Sequence, residues 1–245
     1  MQYFGITILI VLVSGQSFGR SLNENKSNLL KNTKSIQSSL TEFLEVKLRD
    51  LLQNGNQTLG VPVLDPFSQE QVIVDYNQNG INADLKLEVL NIEGLSKYIV
   101  KTAKVSVLTQ KLTLILEFPK IHVTGFYDID ANVMKDIDIF GDGQFDVSIE
   151  RFSIDVIVKA SIKGGLSIKS IDLQIALVAL NFNVTGLFYD DISSEILSEL
   201  VSEITPEIIN DYHDEITEVA VNQAMKYGNK LLDGMTLNDL LGMLG

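Results

Sequence analysis

The 245-residue chain contains no cysteine and no tryptophan, two histidines and four prolines. Without cysteine there is no disulfide staple, no thiol nucleophile and no thiolate metal site. The fold must therefore rest on its apolar core, which a chain of this length can build. Two histidines leave little for acid–base chemistry. His122 sits in the strand-like Lys120-Ile121-His122-Val123 and His213 in a helical stretch beside Tyr212 and Asp214. Neither lies near a nucleophile elbow or an HExxH zinc helix, and both read as ordinary surface or packed histidines. No catalytic residue, metal ligand or cofactor is assigned.

Positive charge is also scarce. Nineteen Lys and Arg stand against 32 Asp and Glu, a net charge of −13 that the chain keeps if residues 1–19 are removed. Nucleic acid and anionic lipid surfaces require clustered cations. The densest basic region, Lys26, Lys31, Lys34, Lys47 and Arg49, is spread along one solvated helix face. Long apolar runs are missing as well. Phe4–Val13 is too short to span a bilayer and suits a signal-peptide core, with Ser17 and Gly19 at the −3 and −1 positions of a cut before Arg20. The expected organisation is a signal peptide over 1–19 and one domain over 20–245, secreted to the extracellular space without integral membrane association. Asn25, Asn56 and Asn183 open three glycosylation acceptor patterns.

What is present is periodic. From Ser27 to Leu52 apolar residues recur at three- and four-residue steps, which predicts a helix stopped at Asn54-Gly55-Asn56. From about Gln71 to Phe188 the period becomes two. Leu85, Leu87 and Val89 form one set, and Leu112, Leu114, Leu116 and Phe118 another. Phe145, Val147 and Ile149 run in odd phase but Phe152, Ile154 and Val156 in even phase, so a bulge or bend is expected at Glu150-Arg151. Asp142-Gly143 and Lys163-Gly164-Gly165 read as hairpin turns. The acidic run around Asp136, Asp138 and Asp142 lacks calcium-loop spacing, and the nearby glycines do not form a strand–GxGxxG–helix unit. Ile192, Ile196, Leu200, Ile204, Ile208, Tyr212, Ile216 and Val219 then follow helical spacing. Thr205-Pro206-Glu207 predicts two helices or a kink there. The pattern gives an α+β fold: a long, curved antiparallel β-sheet wrapped around a long C-terminal helix, with an additional N-terminal helix.

Several segments then resemble one family. Gly60-Val61-Pro62-Val63-Leu64-Asp65-Pro66 is similar to the Gly-Ile-Pro-x-Leu-Asp-Pro segment of takeout/juvenile-hormone-binding proteins. Leu90-Asn91-Ile92-Glu93-Gly94-Leu95-Ser96 resembles the family's first strand and its Gly-Leu-Ser turn. Phe118-Pro119-Lys120-Ile121 with Gly125-Phe126-Tyr127 resembles its strand pair, and Ile137–Gly143 its hairpin. Pro206-Glu207-Ile208 falls at the break in the family's long helix. The resemblance covers about residues 25–240 and implies a tubular lipid-binding fold with an internal apolar tunnel. Lack of cysteine departs from typical members, which carry an N-terminal disulfide, and leaves a neighbouring branch, the mite group 7 allergen-like proteins, as an alternative.

A carrier of a small hydrophobic ligand needs apolar residues facing the space between sheet and helix, with a polar group for the ligand head. The candidates are Leu114, Leu116, Phe118, Val123, Phe145, Val147, Phe152, Ile196, Leu200, Ile204 and Tyr212, with Tyr212 as the polar handle. The alternative is a secreted protein of the same fold that meets a lipid surface or a receptor through exposed apolar residues, the Met235–Gly245 tail among them. A secreted hydrolase is the third class, without support from any motif.

Overall fold

The computed structural model describes residues 37–57, 60–78, 80–106, 109–133, 135–161 and 167–234. The signal-peptide segment, Asn25, Lys163-Gly164-Gly165 and the C-terminal tail lie outside them. Helix α1 covers residues 37–54, with one π-helical turn at Phe43–Lys47. Its three-and-four spacing buries Leu40, Phe43, Leu44, Leu48 and Leu52 on one face. The helix ends at Gly55, whose φ of 65° and close approach to the Val61 carbonyl leave no room for a side chain.

Seven strands form one antiparallel sheet in the order β1-β2-β4-β5-β6, with β3 also on β4 and β7 also on β5. They are β1 (Phe67–Gln78), β2 (Ile81–Glu93), β3 (Ile99–Ser106), β4 (Lys111–Val133), β5 (Ile137–Ser161), β6 (Ser167–Ala176) and β7 (Ala179–Val184). The β4–β5 hairpin is the spine. A 25-residue strand is about 80 Å long at roughly 3.3 Å per residue, so each spine strand has room for two partners in tandem. At the hairpin's turn end β2 lies on β4 and β7 on β5. At its open end β3 lies on β4 and β6 on β5.

The phase slip read in β5 is real and is matched in β4. Burial runs Phe118 in, Pro119 and Lys120 out, Ile121 in, and on β5 Ile149 in, Glu150 and Arg151 out, Phe152 in. Arg151 has φ 50°. Because both strands slip at facing positions, Phe118 still pairs Phe152 and Lys120 still pairs Glu150, and the outcome is a shared bend without a change of register. The β2 expectation needs a correction. Leu85 and Leu87 share a face, but Val89 takes φ 50° at a register shift between Glu88 and Asn91 and becomes exposed, while Leu90 is buried. Asp142-Gly143 is likewise not a turn. It lies inside β5, which starts at Ile137, and Lys135 just before it has φ 68°.

The C-terminal third forms α2 (Asp191–Asp211) and α3 (His213–Leu232). Asp190 caps α2 by accepting from the Ser193 N–H at 2.7 Å. Pro206 lies inside α2 without ending it, and the break falls instead at Tyr212, with φ −112° and ψ 25°. The helices grip the free edge of β7 and β6 through polar side chains. Ser194, Ser198 and Ser202 accept from the N–H groups of Leu187, Val184 and Phe182 at 2.8–3.0 Å. Asn210 and Asn229 each bond both the N–H and the carbonyl of one edge residue, Leu177 and Ile168. An open strand edge is thereby closed by hydroxyls and amides.

This grip overturns the expected orientation of the apolar row. Serines four residues apart bring one side of α2 to the strand edge, and Ile192, Ile196, Leu200, Ile204 and Ile208 are left exposed. Ile196 is 61% exposed and Tyr212 57%. The packed cores are α1 on β3 and β4, α3 on β5 and β6, with Leu112 packed against both, and a smaller cluster at the turn end.

Candidate functional site

At the turn end the sheet has one apolar and one polar face. Directly paired residues share a face in an antiparallel sheet, so Leu85, Ile129 and Gly141 form one row across β2, β4 and β5, and Leu87, Tyr127 and Gly143 the next. Gly125, Phe145 and Val184 follow, then Val123, Val147 and Phe182. On the opposite face lie Asp84, Lys86, Glu88, His122, Asp128, Asp138, Asp142 and Asp146, which accounts for the acidic run as the wet side of strands. His122 bonds Asp146 there at 2.9 Å, and Lys86 bonds Glu88 at 2.6 Å.

The apolar face is walled at one end. After β7 the chain crosses it at Thr185–Leu187, so close that a Cβ on Gly143 would lie 2.0 Å from the Thr185 carbonyl oxygen and one on Gly141 2.4 Å from that of Gly186. The Gly141-x-Gly143 spacing therefore serves a backbone crossing. Tyr127 donates its hydroxyl to the Thr185 carbonyl at 2.8 Å, and its pKa is raised by burial and then by the Asp142 carboxylate. Along one side Leu197 of α2 packs on the face. Gly125 makes room for the Phe145 ring, whose Cζ would stand 2.8 Å from an added Cβ. Leu85, Leu87, Val123, Phe145, Val147 and Phe182 are all only half-buried, and the face is a trough with a floor, an end wall and one side.

The sequence candidates divide into three groups. Val123, Phe145 and Val147 lie together on this trough. Phe118 and Phe152 stack at 6.2 Å at the shared bend, with Tyr98 5.9 Å from Phe118. Leu114 and Leu116 are buried under α1. Ile196, Leu200, Ile204 and Tyr212 are exposed on the C-terminal helices and belong to none of the packed clusters. Leu85, Leu87, Phe182 and Leu197 belong to the trough and were not singled out, although alternation in β2 and β7 carried their signal.

A second depression, about 780 Å³, lies between β7 and α2 along the serine row, lined on β7 by Leu180, Phe182 and Val184 as well as by asparagines. Asn181 and Asn183 line one wall, and Asp191, Glu195, Glu199 and Glu203 the other. Asn183, one of the acceptor asparagines, is exposed there, and Asn56 is exposed beside its bridge to Val61.

Two of the sequence motifs meet in space. The Asp65 carboxylate accepts the Gly94 N–H at 2.8 Å, the Ser96 N–H at 2.6 Å and the Ser96 hydroxyl. Burial pushes its pKa up, but the bonds from Ser96 and Gly94 outweigh burial and hold it below the ordinary carboxylate value. Arg49 of α1 donates to the Tyr98 carbonyl at 2.8 Å and lies over the Tyr98 ring, while the Tyr98 hydroxyl donates to the Leu44 carbonyl. This joint fixes α1 to the sheet and is structural.

The comparisons agree with this architecture. Takeout 1 of Epiphyas postvittana aligns over 86% of this chain and 96% of its own with a TM-score of 0.54 at 16% identity, which shows the same fold. A lipopolysaccharide binding protein aligns over 71% of this chain and 37% of its own at 15% identity, with a TM-score of 0.31. No curated protein matches in sequence. The model of the family described as haemolymph juvenile hormone binding protein matches residues 7–242, nearly the whole length, and the chain belongs to that family.

Proposed function

We propose that the protein is a secreted, non-catalytic carrier that shields a small hydrophobic ligand, such as a terpenoid or related lipid, on the turn-end trough. The observation that carries this reading is the half-covered apolar face built by Leu85, Leu87, Val123, Phe145, Val147 and Phe182 beside Leu197. Removing ligand and wall surface from water supplies about 25 cal/mol per Å² before the costs of association. Family membership supports it, since the family is one of hormone-binding proteins, and no covalent step is needed. Native mass spectrometry of the secreted protein beside its organic extract tests it. A stoichiometric apolar molecule is expected, and an empty protein that also fails to take up terpenoids or lipids would refute it.

A second reading draws on one further observation, the exposed row Ile192, Ile196, Leu200, Ile204 and Ile208. In it the row rests on a lipid surface. Sedimentation with uncharged phosphatidylcholine vesicles tests this, and a protein left wholly in the supernatant counts against it.

A further inference from the structure

We infer that the protein associates with a second copy of itself through the outer edge of β1, the two strands running antiparallel about a twofold axis at Ile73. A dimer of this kind neither needs nor excludes a bound ligand. The sheet treats its edges unequally. The edge of β6 and β7 is closed by serines and asparagines of the C-terminal helices, and Thr217 adds a bond to the Leu173 carbonyl at 3.2 Å. That of β3 is closed in the same way by Gln37 of α1, which donates its amide to the Ala103 carbonyl and accepts the Val105 N–H at 3.2 Å. The exception is β1. It ends the sheet order and runs for 12 residues, and among the described residues no helix or strand bonds its outer side. Phe67–Gln78 also lacks the usual guards of an open edge, since it holds no Lys, Arg or Pro, while Ile73, Val74 and Tyr76 are exposed, Ile73 by 63%.

The strand is matched to its own antiparallel copy. Gln78 and Ile81 flank a two-residue hairpin loop and so form a hydrogen-bonded pair, which turns the backbone groups of the even-numbered β1 residues toward β2. The odd-numbered residues from Gln69 to Asn77 turn theirs to the open edge, where the Gln69 amide reaches the Gln71 carbonyl at 3.5 Å. Two such edges can pair only odd residue to odd. With Ile73 facing Ile73 across the axis, Gln71 meets Asp75 and Gln69 meets Asn77, and the two strands exchange about ten hydrogen bonds, as many as a typical specific interface carries. Between these pairs Val72 meets Val74 and Tyr76 meets Glu70, so no carboxylate faces another. A strand centred on Glu70 or Asp75 would set that acid against itself. Of all registers, the one at Ile73 alone sets Val72, Ile73 and Val74 wholly against one another. Val72 and Val74 pair Leu87 and Leu85 on β2, and the contact therefore carries the apolar face of the turn end across the axis.

The test uses the full-length protein. Sedimentation velocity over a concentration series should show a monomer–dimer equilibrium, favoured by salt because each copy carries a net charge of −13. Gln71→Glu sets a carboxylate against Asp75 at two symmetric places and should weaken the dimer about fivefold, whereas Gln71→Lys at the same exposed position should strengthen it by about as much. The chain has no cysteine of its own, so single cysteines report the register. Oxidised Ile73→Cys should form a covalent dimer, since a hydrogen-bonded antiparallel pair holds its Cα atoms about 5.5 Å apart, within disulfide reach. Gln71→Cys should not, because its mate lies roughly 13 Å away along the partner strand. A protein that is monomeric at every concentration and salt overturns this assignment. So does a dimer indifferent to both charges at Gln71, or one that Gln71→Cys cross-links as readily as Ile73→Cys, because its contact would lie elsewhere or in another register.

Discussion

Asp65→Asn isolates the joint between the two segments that first resembled a family. The carboxylate takes three donors, two of them backbone N–H groups, and is itself buried. An asparagine keeps the shape but offers one carbonyl oxygen, so its NH2 must face either Gly94 N or the Ser96 pair. One buried donor is then unsatisfied, at about 1–3 kcal/mol, and the remaining bonds lose their charge assistance. The expected loss is about 3 kcal/mol at pH 7, or roughly 6–12 °C in Tm for a domain of this length. Urea unfolding at unchanged m-value measures it. The pH dependence follows from the depressed pKa. The wild-type advantage is complete above the unfolded carboxylate value of about 4 and is lost as pH falls through the lower folded value. The difference between the two proteins should hold from pH 5 to 8 and shrink at pH 3 and below. A loss under about 1 kcal/mol at pH 7, or a deficit as large at pH 3 as at pH 7, would refute the clasp.

Other perturbations follow from the same geometry. Ser198→Ala strands the buried Val184 N–H and should cost about 1–3 kcal/mol, with faster hydrogen exchange at that amide; an unchanged exchange rate contradicts the edge closure. Gly143→Ala drives a Cβ against the Thr185 backbone and should cost about 3 kcal/mol or more, visible as a sharply lowered urea midpoint. Ile196→Gln with Leu200→Gln, both on the exposed row, should shift stability by no more than about 0.5 kcal/mol each. If the pair abolishes phosphatidylcholine vesicle binding while leaving terpenoid uptake intact, the lipid-surface reading gains; an effect on neither removes it.

Much of the fold was legible in residue spacing. Helix α1 declared itself because a three-and-four apolar period has one burying solution, and Gly55 ended it as its neighbours implied. The β5 phase slip was visible because a pleat cannot keep one face apolar across it. The matching slip in β4 was equally present at Pro119-Lys120 but has meaning only once the two are known to face each other. Asp142-Gly143 misled because a glycine required by a chain crossing from residues 185–187 looks locally like a turn glycine. The orientation of α2 failed for a related reason. The strongest apolar row of α2 is exposed, because the open edge of β7 is met by polar side chains instead. The signal was there in Ser194, Ser198 and Ser202, whose regular interval is uncommon for a solvent-facing side. Of the candidate residues, those on β4 and β5 inherited their placement from strand alternation, and those on α2 depended on which need of the sheet prevailed.

That serine interval has a consequence for how the chain tolerates change in length. Four helical residues advance about 6.0 Å and two strand residues about 6.6 Å, so two different polymers of the same backbone run nearly in step, hydroxyl against every second amide, from Ser198 to Ser202. One residue inserted within this stretch would rotate all that follows by about 100° and bring Val201 to the strand in place of Ser202, and one deleted would bring Glu203. Four inserted residues would return the row to within about 40° of its place. In this segment length is quantised, and an insertion or deletion spares the edge when it comes in fours.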